Sequence, residues 1–365
     1  MRKLRVLFID DDEPGIGPAR KELERSDYKC SYVAFPGFDA EIEDFQPHIL
    51  VLDRMEGTAP VYTNTGRTVL DSIWGRRFCP VVIYTAFPNG EQDEREEHPL
   101  VKIVTKGGDL TPFKAAIEMV APHARALESA EQHVREQFAV ALRDVARYAA
   151  LAFADPIERM NVVARHGRRR LAALMDEMTM GKLASWEQYI YPPVSGNLML
   201  GDIIRLRAGG AEDATAFRVI LTPSCDLVSI EGRPAKVKYV LVSKCCSPKD
   251  GIGRTALAKI EKEKLADALP SSLLSQGFLQ KMVPFPALRG VVPAMMTDMK
   301  SLELLDIAQI DAAHPGIATF VRVAGLDSPF RELISWAYMQ TACRPGLPDR
   351  DFTAWSKEIM DSYGA

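Results

Sequence analysis

The sequence predicts an α/β fold, a doubly wound five-stranded parallel sheet, followed by a helical hairpin and an α+β domain. Three observations carry that expectation. Short apolar runs without polar alternation recur through residues 1–121, as in strands buried on both faces. Helical spacings separate these runs, the pattern of a parallel sheet with crossover helices. Residues 122–184 then show helical spacing only, and residues 185–365 mix strand and helix signals with frequent Pro and Gly.

The elements follow in order. Leu4–Ile9 is the first strand and runs into Asp10-Asp11-Asp12. A helix is expected over 17–26 and a second strand over 30–34. Ile49–Leu52 is the third strand, ending at Asp53, and helical spacing returns over 67–74. Strands over 81–84 and 101–104 end at Thr85 and Lys106. Thr111 is expected to cap a helix that starts at Pro112.

Val134, Phe138, Ala141, Val145, Tyr148 and Ala152 are then spaced as a short heptad seam. Asp155-Pro156 opens a second helix with apolar positions at Met160, Val163, Leu171, Leu174 and Met178. Two readings stay open. The stripes bury against each other within one chain, or the helix over 127–152 forms a homodimer seam. In the last part, strands are expected over 202–207, 217–222 and 238–243, with helices over 259–268 and 330–341. Together they suggest a small barrel or curled sheet.

The chain has 365 residues, 47% apolar and 26% charged, values of an ordinary soluble protein with roughly two or three domains. The net charge of −4 argues against broad, non-specific nucleic-acid binding, which needs a basic surface. Residues 1–121 hold 15 Lys/Arg against 21 Asp/Glu, so the acidity sits at the front. No apolar run is long enough to cross a bilayer, and Asp10-Asp11-Asp12 interrupts any signal-peptide reading. A cytoplasmic chain is expected, its six cysteines reduced.

In an open parallel sheet, functional groups collect at the carboxyl ends of the strands. Here those ends carry Asp10, Asp11, Asp12, Asp53, Thr85 and Lys106. Carboxylates at close range repel, so one pKa rises unless a cation joins them. Mg²⁺ suits such a site because it takes hard oxygen ligands and keeps several waters. One carboxylate can then attack a phosphoryl group, while the metal and a lysine neutralise the phosphoryl oxygens.

The runs Val6-Leu7-Phe8-Ile9-Asp10-Asp11-Asp12-Glu13-Pro14, Leu50-Val51-Leu52-Asp53, Val81-Val82-Ile83-Tyr84-Thr85-Ala86 and Ile103-Val104-Thr105-Lys106 resemble the receiver domain of bacterial response regulators. The separations fit as well: 42 residues from Asp11 to Asp53, 32 to Thr85 and 21 to Lys106. The resemblance covers residues 1–121 and implies a flavodoxin-like fold and phosphorylation by a sensor histidine kinase. By position it implies Asp53 as phosphoacceptor. Asp10, Asp11 and Asp53 would hold Mg²⁺ with the Met55 backbone carbonyl. Thr85 would be the switch hydroxyl and Lys106 the phosphoryl partner.

Three features depart from that pattern. Ile103 stands where the family usually has an aromatic residue. Gly107-Gly108 follows the lysine in place of proline. The stretches from Asp53 to Gly66, and from Pro88 through His98, are unusual in length and charge. A receiver that is never phosphorylated and serves as a docking module is therefore the alternative for this part.

Residues 185–365 form an output domain without a recognised signature. Cys225, Cys245, Cys246 and Cys343 lack the C-x₂-C spacing of zinc sites and read as structural thiols. His314 is the one histidine there that could serve as a base. The basic run His166-Gly167-Arg168-Arg169-Arg170 reads as a solvated helix face. Gly201-Asp202-Ile203-Ile204, Val219-Ile220-Leu221-Thr222-Pro223-Ser224 and the 292–305 region faintly resemble the barrel of PemK-type endoribonuclease toxins. The toxin arginine has no match, although Arg218 lies nearby. Two output readings result: binding of a partner protein or ligand, or a receiver-gated enzyme such as a nuclease.

Overall fold

The computed structural model describes the chain except residues 1–2, 27, 57–58, 61–68, 87–96, 178–181, 195, 231–232, 313–317, 344–350 and 365. It divides into two compact units, Met1–Met180 and Gly181–Ala365.

The first unit is built on β1 (Leu4–Ile9), α1 (Glu13–Arg25), β2 (Tyr28–Val33), α2 (Phe38–Phe45) and β3 (Ile49–Leu52). A small hairpin follows, β4 (Met55–Glu56) with β5 (Ala59–Pro60). Then come α3 (Val69–Arg76), β6 (Val81–Thr85), β7 (Val101–Thr105), α4 (Thr111–Ala152) and α5 (Pro156–Glu177). The five long strands pair in parallel in the order β2-β1-β3-β6-β7. That is the flavodoxin-like order, with its switch point between β1 and β3. Alternate residues of each strand enter opposite cores. Val6, Phe8, Val51 and Val82 meet Ile16 of α1 and Phe113 and Ile117 of α4. Leu7, Ile9, Leu50 and Ile83 meet Ile42, Leu70 and Ile73 of α2 and α3. Burial on both faces is why these runs show no polar alternation.

Two helix starts differ from the sequence expectation. α1 begins at Glu13, earlier than residue 17, because the Asp12 side chain caps it by accepting from the Gly15 N–H at 3.0 Å, with Pro14 in the first turn. α4 is preceded by Leu110, not capped by Thr111; Asp109 accepts from the Thr111 N–H at 2.9 Å. The start of the helix expected over 67–74 and most of the acidic stretch after Pro88 lie outside the described residues.

The 42 residues of α4 run unbroken past position 121. Its first part buries Phe113, Ala116, Ile117, Val120 and Ala124 at helical spacing. Beyond the sheet, Glu128 Oε1 lies 3.3 Å from Nε2 of the buried His48, and Glu131 pairs with Arg77 at 2.6 Å. These contacts tie the helix to the amino ends of the strands. Changing Glu131 to Ala is expected to speed hydrogen exchange of the amides around 125–135 while exchange in β1 and β3 stays unchanged, a comparison mass spectrometry reads directly.

Further out, α4 packs on α5 through Ala141 and Ala149, and Gly167 lets Leu142 approach. The expected heptad seam is only partly that contact. Tyr148 is 72% exposed and Val134 41%. The buried positions of this part are Ala141 and Ala149, so the small residue beside Tyr148, and not Tyr148 itself, turns inward. Of the second stripe, Met160 is 69% exposed and Met178 lies outside the described residues.

The second unit contains β8 (Tyr189–Ile190), β9 (Ile203–Leu206), β10 (Phe217–Ile220), α6 (Ser224–Leu227), β11 (Tyr239–Cys246), α7 (Pro248–Ile252) and α8 (Lys262–Leu269). It continues with β12 (Met282–Phe285), β13 (Met295–Asp306), β14 (Ile310–Asp311), β15 (Phe320–Leu326), α9 (Phe330–Ala342) and α10 (Phe352–Tyr363). The sheet order is β12-β13-β11-β10-β9-β15-β14, with β8 beside β15. All its pairings are antiparallel except β14 with β15. This is the α+β sheet domain that the sequence leads one to expect. Ile203, Phe217, Val219 and Ala324 enter one core, and Ile204, Ile220, Val240 and Phe320 the other. Among the described residues, no helix is long and apolar enough to cross a membrane.

Candidate functional site

The register of the first sheet sets the site. Ile9 lies opposite Leu52, so Asp10 and Asp53 leave neighbouring strands side by side. The Asp53 N–H donates to the Ile9 carbonyl at 2.9 Å. Leu52 lies opposite Ile83, which puts Thr85 two residues further along β6. Thr85 pairs with Thr105, and β7 thereby delivers Lys106, whose N–H donates to the Thr85 carbonyl at 2.7 Å.

The side chains then converge. Lys106 Nζ lies 2.8 Å from Asp10 Oδ2 and 2.7 Å from Asp53 Oδ2. The other oxygen of each carboxylate accepts a backbone donor. Asp10 Oδ1 takes the Asp12 N–H at 2.9 Å, and Asp53 Oδ1 takes the Arg54 N–H at 2.6 Å. Asp10 is 2% exposed and Asp53 7%, whereas Asp11 faces solvent. Carboxylate oxygens of Asp10, Asp11 and Asp53 all lie within 4.8 Å of one another. Thr85 is fully buried, and Met55 opens β4 two residues past Asp53.

Burial pushes the Asp10 carboxyl above its ordinary range, against the pull of the Lys106 hydrogen bond. Burial also acts on Lys106, lowering its pKa, but the hydrogen bonds from Asp10 and Asp53 outweigh it and hold the ammonium above its ordinary value. The donor set suits Mg²⁺. It offers three hard carboxylates, one of them at the solvent edge where the ion keeps its waters. Three carboxylates and one ammonium leave two negative charges for a divalent cation to neutralise. Among the described residues this is the one such cluster of potential metal ligands.

Sequence reasoning missed two contributors and the role of a third. Asp12 is committed to capping α1, which leaves Asp10 and Asp11 as the site's pair. Arg54, 2% exposed, supplies a backbone donor to Asp53. Tyr84, not residue 103, is the buried aromatic of this region. Its ring lies 4.8 Å from that of Phe113, while Ile103 is 36% exposed. The run Val81–Thr85 held the signal for Tyr84: an aromatic inside an otherwise aliphatic buried strand.

The other candidates stay apart. Cys245 is buried, and burial raises its thiol to about 12; Cys246 is raised for the same reason. Neither is a nucleophile at neutral pH. Cys225 and Cys343 are exposed. Arg218 is engaged by Glu303 at 2.9 Å. His314 lies outside the described residues. In the basic run, Arg168 and Arg169 are exposed and Arg170 pairs with Asp144 at 2.7 Å.

No family model matches the chain, and no curated protein does. Solved structures match its first third. One is the N-terminal domain of a response regulator/sensory box/GGDEF protein from Carboxydothermus hydrogenoformans: 18% identity over 34% of this chain and 98% of that one, TM-score 0.28. Another is the N-terminal domain of the nisin resistance regulator NsrR: 18% identity, 32% of this chain and 97% of that one, TM-score 0.27. A third is a chain of the complex of histidine kinase ThkA with response regulator TrrA: 16% identity, 32% and 97%, TM-score 0.26. The strand order and the residues at the strand ends decide the fold class. The first unit has a flavodoxin-like fold. Residues 185–365 take no identity from these matches.

Proposed function

We propose that the chain is a response regulator that accepts a phosphoryl group on Asp53 from a histidine kinase, with Mg²⁺ held by Asp10, Asp11 and Asp53. The observation that carries this reading is the convergence of those carboxylates with Lys106, whose ammonium lies 2.7 Å from Asp53. In it Asp53 Oδ2 attacks phosphorus, and the bond from phosphorus to the donor's nitrogen or oxygen breaks. The Lys106 ammonium moves onto the phosphoryl oxygens, and the Thr85 hydroxyl donates to another. Mg²⁺, when bound, offsets charge on the transferring group. The Met55 carbonyl completes the proposed ligand set. Mixing the chain with Mg²⁺ and acetyl phosphate tests the reading. Intact mass is expected to show one added phosphoryl group, lost with EDTA and with Asp53→Ala. An unmodified mass beside an active control receiver would overturn it in favour of a docking module.

The added charge acts by favouring one conformation over another. We propose that α4 carries the shift, since it is continuous from the receiver core into the hairpin. Tyr148, Leu151, Ile157 and Met160 expose apolar surface near the hairpin's turn, which favours a homodimer through this part. Phosphorylated and unphosphorylated protein are expected to differ in sedimentation coefficient. Identical values, with full phosphorylation shown by mass, would remove the dimer from the account. Output through the second unit is proposed to be binding of a partner or ligand. The engagement of Arg218 by Glu303 gives a nuclease reading no support.

A further inference from the structure

The second unit holds a cation that no carboxylate among the described residues balances. Arg205 lies on the interior strand β9, between Phe217 of β10 and Val321 of β15. Its Nε is buried and makes no hydrogen bond, and among the described residues no carboxylate pairs with its guanidinium. The other arginines of this sheet region are served: Arg207 by Asp311, Arg218 by Glu303 at 2.9 Å and Arg322 by Asp202 at 3.2 Å. A buried N–H without a partner is costly and is retained where something else satisfies it.

Arg205 also lines a cleft of about 270 Å³. Its walls are Tyr191, Pro193, Val291 and Val323, and Arg322 borders it with its charge already spent on Asp202. Tyr191 is 54% exposed and presents an aromatic wall with a phenol at its edge. The space thus combines one net positive charge with apolar and aromatic sides. That is the arrangement of small-ligand sites, mostly apolar with a few placed polar groups.

We infer that this cleft binds a compact organic anion, a carboxylate or phosphate carried on a flat apolar body. The anion satisfies the Arg205 guanidinium, which is built to take such oxygens in pairs. The flat body lies along Tyr191, Val291 and Val323. This assignment gives chemistry to the ligand-binding output proposed above. It rests on the second unit alone, so failure of Asp53 phosphorylation leaves it standing, and its own failure leaves the receiver reading untouched.

Titration calorimetry of the full chain with benzoate, phenyl phosphate and inorganic phosphate tests it. At least one aromatic anion is expected to bind saturably, and the arm that binds names the anion. Arg205→Met, which keeps the aliphatic stem, is expected to weaken that binding at least about tenfold. The same variant is expected to melt at the same temperature as the parent or higher, since it removes an unpartnered buried group. Tyr191→Ala, at an exposed position, is expected to weaken the aromatic anions and leave folding unchanged. No saturable binding of either aromatic anion would overturn the inference, as would equal binding to Arg205→Met. Binding of inorganic phosphate as tight as phenyl phosphate would overturn the role of the walls. A large fall in melting temperature for Arg205→Met would mark the arginine as structural instead.

Discussion

Changing Lys106 to Met is expected to destabilise the metal-free first unit by about 3 kcal/mol, the order found when one partner of a buried ion pair is removed. The Asp10 and Asp53 side chains are 3% and 9% exposed, and Lys106 Nζ is bonded to both. Without it two carboxylates face each other in a site that already pushes Asp10 upward by burial. The defect should respond to cations and to pH. Mg²⁺ should restore most of the lost stability, because the ion supplies the charge that the ammonium did. Acid should narrow the gap, because protonating Asp10 removes the repulsion. In the parent, the folded pKa of Lys106 lies above its unfolded value of 10.5. Its contribution is therefore complete at neutral pH and fades only as pH rises above that range. Urea unfolding with EDTA and with Mg²⁺, at two pH values, measures all of this. A variant as stable as the parent in EDTA would show that the ion pairs contribute little.

Changing Asp10 to Asn is expected to act in two opposite directions. Burial holds the folded Asp10 carboxyl above its unfolded pKa of 3.8, so the native state holds that proton more tightly. Stability contributed by this group therefore falls as pH rises through the window above 3.8, and at neutral pH the ionised form is a net cost. The amide removes that cost while Lys106 keeps Asp53 as partner. A gain of about 1 kcal/mol would raise the unfolding midpoint of a unit this size by roughly 2–4 °C. The metal response should vanish in return. Mg²⁺ at a hundred times its dissociation constant stabilises a binding protein by about 2.7 kcal/mol. The parent should show such a shift, and Asp10→Asn little or none. A variant less stable than the parent, yet fully responsive to Mg²⁺, would contradict the site's assignment.

Much of the first unit was legible because its strands are buried on both faces. The runs at Leu4, Ile49 and Val81 are buried almost throughout, and the ends of these strands and of the half-exposed Val101 strand follow within a residue or so. The convergence of Asp10, Asp53 and Lys106 was legible only through the rule that parallel strands present their carboxyl ends together. Local pattern says nothing of a contact spanning 53 residues. The early start of α1 was hidden by Gly15, Gly17 and Pro18, poor helix formers that the Asp12 cap overrides. The heptad over 134–152 misled because it was read from the large apolar residues, whereas the buried positions there are the small Ala141 and Ala149, and Val134, Phe138 and Tyr148 stay exposed. In the second unit the Asp202–Arg322 pair spans 120 residues and Arg205 is defined by a missing partner. Neither leaves a trace in sequence spacing.

The most direct test of the central claim locates the phosphoryl group. The chain would be incubated with acetyl phosphate and Mg²⁺, reduced with borohydride and mapped by tandem mass spectrometry. Reduction converts an aspartyl phosphate to homoserine and so fixes the acceptor. Homoserine at position 53, absent when EDTA replaces Mg²⁺, is the predicted result. Homoserine at another aspartate, or at none beside an active control, would contradict it.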